Sequence, residues 1–254
     1  MDINLIYSLI TAIFVGGAAG YVGSLMVSKR MALVGDALGH VALPGMGLAL
    51  LLGLNVSWGA FVFLFLGVLA IWYLEPKTKL PMETLVGIVF VFSLALGFLI
   101  TPEPELLEAL FGNISRVSAA DALVSAIISL LVIFVIAKIY PKMILGSVSE
   151  DLAVANKINV KKYNFIYLLI ISIIVALGVK VVGSLLVGAL VIIPAAISRI
   201  ISRNMRQYEI GSIVFGVLSC VIGIILAQAI NFAVGPIVIL TASLFFLIAL
   251  FFKR

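Results

Sequence analysis

Apolar residues in this chain fall in long unbroken runs separated by short polar and charged stretches, with little alternation between them. Nine runs stand out, at residues 5–27, 31–53, 56–74, 84–100, 119–140, 164–181, 183–200, 210–230 and 236–252. A hydrocarbon core of about 30 Å takes about 20 residues of α-helix. Most runs are too long for strands and lack the period of two that marks a membrane barrel, so helices must satisfy the backbone hydrogen bonds within lipid. The pattern predicts an all-α, polytopic integral membrane helical bundle of eight or nine transmembrane helices, with residues 1–254 forming a single domain. The open point is the pair 164–181 and 183–200, which share a short Gly183-Ser184 connection and carry Pro194. If either is re-entrant, eight spans result. The first run lacks a basic leader and a clear small-residue cleavage pattern, and is expected to be a retained span.

Composition narrows the class. Hydrophobic residues make up 64% of the chain and charged residues 11%, with a mean hydropathy of +1.35, whereas soluble domains are about a quarter charged. A soluble enzyme is excluded. The net charge of +5 would point to nucleic acid in a soluble protein, but here the basic residues lie between apolar runs and no nucleic-acid partner is expected. The lone Cys220 excludes a disulfide framework and a thiolate metal cluster and reads as inert packing.

The charge is sorted. With nine alternating spans, one side receives fourteen basic residues: Lys29, Arg30, Lys77, Lys79, Lys138, Lys142, Lys157, Lys161, Lys162, Arg199, Arg203, Arg206, Lys253 and Arg254. The other side receives Arg116 and Lys180. Excess Lys and Arg mark the cytoplasmic side, which places the loop at 141–163 and the C-terminus inside and the N-terminus outside; a re-entrant segment would bring the N-terminus inside. The expected location is the plasma membrane, crossed many times. The outer loop at 101–120, with Glu103, Glu105 and Glu108 ahead of Leu110, fits either a short interfacial helix or an ordinary acidic surface loop. In the inner loop, Ser147 to Asn156 places serine ahead of acidic residues and then leucine and alanine, the pattern of a short capped helix. A capped helix in a cytoplasmic loop suits a partner.

Ten of the eleven acidic residues fall in loops or near helix ends; Asp36 is the exception. It lies about 9 Å beyond Arg30 along a helix rising about 1.5 Å per residue, and His40, the only histidine, follows one turn deeper. Residues at i and i+4 share a helix face. Ionisable groups within a membrane are costly and mark pathways or binding sites. A carboxylate and an imidazole suit zinc, manganese or ferrous iron, yet two ligands are not a metal site; a symmetric dimer would supply four donors. An Asp-His hydrogen bond that fixes packing, and a proton relay, are alternative readings of the same pair. Gly35 and Gly39 have the small-xxx-small spacing that admits a close neighbouring helix. Pro44 removes the hydrogen bond to the His40 carbonyl and predicts a kink. The chain lacks a P-loop, a His-Glu-x-x-His metalloprotease motif and the second membrane aspartate of an intramembrane aspartyl protease. Catalysis within this chain is not expected.

These residues carry a family resemblance. The run from Lys29 to Ala49, KRMALVGDALGHVALPGMGLA, resembles the second-helix signature of the permease subunits of bacterial and archaeal ABC importers for zinc, manganese and iron. The stretches Leu110 to Ile114, Ser149 to Asn156 (SEDLAVAN) and Val182 to Ala196, with its Pro-Ala-Ala, are similar to further family segments in the same order. The resemblance implies an ABC importer permease fold that translocates divalent transition metal ions by alternating access. Two copies of a cytoplasmic ATP-binding subunit would hydrolyse the ATP, and an extracellular metal-binding protein would deliver the cargo. It implies a permease homodimer in membrane lipid, with no permanently bound cofactor and the metal as substrate. The family's metal-pathway residues fall on Asp36 and His40, with Gly35, Gly39, Pro44 and Gly45 giving the kink and close packing. Coupling to the ATPase falls on Ser149, Glu150, Asp151, Leu152, Ala153 and Asn156, in a helix near 147–157. Two departures stand out: Gly39 replaces the commoner serine, and Asn156 with Lys157 stands where a small residue, leucine or glycine is frequent. The alternative function is a proton- or ion-coupled secondary transporter in which Asp36 and His40 titrate.

Overall fold

The structure, a computed structural model, describes residues 3–101, 110, 117–184 and 187–252. Among these it contains eleven helices: α1 (Ile3–Ser28), α2 (Ala32–Val41), α3 (Leu43–Leu51), α4 (Val56–Thr78), α5 (Met82–Ile100), α6 (Ala119–Val148), α7 (Glu150–Ala155), α8 (Val160–Val182), α9 (Val187–Ile201), α10 (Met205–Ile230) and α11 (Val234–Phe251). Helices α2 and α3 together form one span, so eight helical stretches are long and apolar enough to cross a membrane, and α9 is the short one. The expected outer helix within 101–120 lies, for residues 102–109 and 111–116, outside the described residues.

Observed helices extend past several of the apolar runs because their ends are built from polar residues. Asn55, Asn159 and Asn204 accept a hydrogen bond from the amides of Ser57, Lys162 and Gln207 at 2.9, 3.0 and 2.9 Å. Ser118 and Asp121 form a reciprocal capping box at the start of α6. Each satisfies an amide that the helix itself leaves unpaired. At the other ends, Lys79 and Asn231 close α4 and α10 in the left-handed conformation, with φ of 57° and 53°.

Helix α1 is the hub, packed along its length by α6, α8, α9 and α10. The span Ala32–Leu51 is the most enclosed, with 72% of its apolar window buried against 22% for Met82–Ile100. Helices α4, α5, α6 and α11 turn Phe65, Phe92, Leu131 and Leu247 outward, the surface a lipid solvent requires. Glycines set the distance between α1 and its neighbours. A Cβ on Gly20 would lie 2.0 Å from the Ser212 carbonyl oxygen of α10, and one on Gly23 1.9 Å from that of Val191 on α9, so neither position admits a side chain.

The fate of the doubtful pair is clear in the packing. At about 1.5 Å per residue, the fifteen residues of α9 reach only part of the way across a hydrocarbon core. Its first residue, Val187, packs at Gly178, with Val15 of mid-α1 alongside. Helix α9 therefore starts inside the bundle and runs back to the basic end. There the Tyr208 hydroxyl donates to the Ser24 carbonyl at 2.9 Å and Arg199 lies over the Tyr208 ring. Lys29, Glu75, Lys142 and Lys161 line one pocket, so the ends of α1, α4 and α6 and the start of α8 meet at that same end. Although short, α9 reverses α8, so the N-terminal end of α1 lies opposite the basic end, as in the nine-segment alternation.

Candidate functional site

The site begins with the break between α2 and α3. The helix is interrupted at Ala42, two residues before Pro44, where the proline ring removes one backbone donor. Ala42 itself keeps a right-handed helical backbone, with φ of −69° and ψ of −26°, so the chain runs from α2 into α3 with little change of direction. Beyond the break, Gly45 and Gly59 meet face to face: a Cβ on either would lie 2.1 Å from the other's carbonyl oxygen.

Asp36 and His40 occupy one face of α2. Leu33, a turn earlier on that face, is 78% exposed, Asp36 is half-buried, and His40 is buried. The face thus opens at the protomer surface and closes inward. Gly188 of α9 lies against Asp36, where a Cβ would meet the Asp36 Cα at 2.5 Å and its Oδ1 at 2.7 Å. Gly39 faces the connection before α9, with a Cβ there 2.6 Å from the Ser184 carbonyl oxygen, and Gly35 faces Met26 of α1 and Val191 of α9. The His40 ring is tilted against Phe90 of α5, with centroids 5.2 Å apart.

One buried polar atom at this face lacks a partner among the described residues. His40 Nδ1 is buried with no hydrogen bond, and no hydrogen bond joins Asp36 to His40 among the described residues. A pair retained only to fix packing would be expected to close on itself, since a buried polar atom without a partner costs about 1–3 kcal/mol. No group of three or more His, Cys, Asp or Glu side chains converges among the described residues, so one protomer offers two donors.

With this geometry in place, likeness to known proteins decides the family. The profile of the ABC 3 transport family matches residues 1–253. This chain belongs to that family. Among its members, the manganese import system permease protein ScaB of Streptococcus parasanguinis is 32% identical over 96% of this chain and 89% of its own length. The high-affinity zinc uptake system membrane protein ZnuB of Haemophilus influenzae is 30% identical over 96% of this chain and 95% of its own. The solved structure of PsaBC from Streptococcus pneumoniae in complex with Fab superposes with a TM-score of 0.87 at 31% identity, covering 100% of this chain and 93% of that one. The chain is therefore a multi-pass membrane permease of the metal ABC importer family.

The segment Ser149 to Asn156 noted in the family resemblance forms α7 and its two caps. Ser149 caps it by accepting from the Leu152 amide at 3.2 Å, and the Asn156 side-chain amide donates to the Leu152 carbonyl at 2.7 Å. Ala153 is buried, near the point where a Cβ on Gly146 of α6 would sit. Asp151 is exposed, as are Val148, Leu152 and Val154, at 75%, 52% and 64%. Glu150 opens the helix. Lys157, which follows, has φ of 57°, the left-handed conformation that a glycine adopts without cost.

Sequence reasoning missed two parts of the site's frame. One is the α9 contact, because nothing in a run of small residues says which helix they face. The other is a layer of hydroxyls at the basic end: Tyr21 stacks on Tyr140 at 5.7 Å, the Tyr140 hydroxyl lies 3.1 Å from Ser24 Oγ, and the Tyr21 hydroxyl donates to Glu209 at 3.2 Å. These residues sit in or beside apolar runs, where only their polar tips give a signal.

Proposed function

We propose that this chain is the membrane subunit of an ATP-driven importer for a divalent transition metal ion, zinc, manganese or iron, and that it works as a homodimer. The observation that carries the reading is the open donor pair: a half-buried Asp36 and an unpartnered His40 Nδ1 on a face that emerges at the protomer surface. Two donors per protomer become four where two copies of that face meet. The incomplete shell suits cargo, since a closed tetrahedral set would hold zinc structurally. Relatives named for manganese and zinc uptake support the substrate class.

In this mechanism a metal ion released by an extracellular binding protein enters between the two permeases and exchanges ligands at Asp36 and His40. Two ATP-binding subunits dock on the basic, cytoplasmic side. The exposed Val148, Leu152 and Val154 around α7 receive their push, and the movement passes to α6 and α8, which flank α7. ATP hydrolysis belongs to those subunits, so this chain is a transport subunit of a bacterial or archaeal plasma membrane.

The test is reconstitution of the chain with its ATP-binding subunit and binding protein in liposomes, with radioactive manganese, zinc or iron outside. Uptake that requires ATP is expected. Uptake driven by a proton gradient without ATP would overturn the reading in favour of the ion-coupled transporter.

A further inference from the structure

At the basic end, away from Asp36 and His40, the last turns of α1, α4 and α6 and the first turn of α8 enclose a pocket of about 280 Å³. Three lysines line it, Lys29, Lys142 and Lys161, against one carboxylate, Glu75. Lys29 Nζ donates to Asn164 Oδ1 at 2.7 Å, and Lys142 Nζ donates to the Tyr163 hydroxyl at 2.8 Å. These are neutral partners; Glu75 is the one carboxylate that acts on Lys29, and it is the only acidic residue lining the pocket among the described residues. The pocket therefore carries an excess of two positive charges, with donors already directed by neighbouring side chains. Lys161 stands in the first turn of the long α8, where the helix dipole adds to the attraction for an anion.

We propose that this pocket seats the phosphate of an anionic headgroup. Basic pockets between membrane helices on the cytoplasmic side favour anionic lipid headgroups, and the position at the helix ends puts the lysines at headgroup depth. The apolar side chains of Met143, Ile158 and Val160 also line the pocket and give the glycerol end of a lipid an apolar wall. A free phosphate would use the same donors without that wall.

Native mass spectrometry of the purified full-length chain, offered phosphatidylglycerol or phosphatidylcholine, tests this. The wild type is expected to retain phosphatidylglycerol selectively. Near a membrane each lysine adds about 1 kcal/mol for an anionic lipid, so Lys142→Gln and Lys161→Gln should each weaken retention about fivefold. Lys138→Gln, outside the pocket, should not. If the wild type shows no lipid preference but is stabilised by inorganic phosphate in a manner lost in Lys142→Gln and Lys161→Gln, the pocket takes free phosphate. The absence of both effects, or equal effects of Lys138→Gln, would overturn the proposal. Melting temperatures of the variants separate loss of the ligand from loss of the fold.

Discussion

Gly188→Ala places a single methyl group at the closest contact around the donor pair. Its carbon would sit 2.5 Å from the Asp36 Cα, 2.6 Å from its Cβ and 2.7 Å from its Oδ1. Ordinary carbon contacts begin near 3.5 Å, so α9 and α2 must part by about 1 Å. Backbone and carboxylate are met together, and no rotamer relieves both. Overpacking of this kind costs about 1–3 kcal/mol, which should lower the melting temperature in detergent by several degrees. Because the displaced atoms are those of Asp36, metal uptake by the assembled importer should fall much further than the loss of folded protein explains. Gly87→Ala is the matched control, since a Cβ there meets nothing within 4 Å and alanine is favoured over glycine in a helix by about 1 kcal/mol. An unchanged melting temperature together with unchanged uptake in Gly188→Ala would refute the reasoning.

Further outcomes follow from other contacts. Gly39→Ser should destabilise this chain in thermal melting, because a Cβ at 2.6 Å from the Ser184 carbonyl oxygen has no room. Leu152→Asp, on the exposed side of α7, should leave melting unchanged and abolish the metal-stimulated ATPase activity of the assembled importer. Tyr208→Phe removes the hydrogen bond to the Ser24 carbonyl and should cost about 1 kcal/mol in chemical unfolding. Burial pushes the Lys29 ammonium down from its ordinary 10.5 to about 8, with Glu75 opposing the shift. A lysine with a depressed folded pKa binds fewer protons folded than unfolded, so stability should rise as pH climbs from about 8 towards 10.5; Lys29→Met should flatten that rise.

How much of this was legible in the sequence depends on the length scale of the physics. The spans were readable because lipid demands long apolar runs, and every run coincides with an observed helix or, at 31–53, with the pair α2 and α3. Helix ends were less so: α6 continues to Val148 through Pro141, a helix breaker, and Lys142, a charged residue, both of which mark the end of the apolar run but remain helical. The brevity of α9 was half visible in Gly183 and Pro194, whereas its start inside the bundle depends on contacts with Gly178 and Val15 that no local pattern contains. Asp36 and His40 were conspicuous as ionisable groups in an apolar run. Their neighbours were not, because Gly188 and Phe90 come from distant helices and carry no chemistry of their own. The glycines of α1 looked like ordinary membrane-helix glycines, yet Gly20 and Gly23 stand where the α10 and α9 backbones pass within a bond length or two of a would-be Cβ.

The central claim is that cargo passes Asp36 and His40. Metal uptake by cells expressing the whole importer with either Asp36→Ala or His40→Ala tests it most directly, with the permease level in the membrane measured alongside. The account predicts that ATP-dependent uptake collapses in both variants while each is still made and inserted. Undiminished ATP-dependent uptake in both would contradict it.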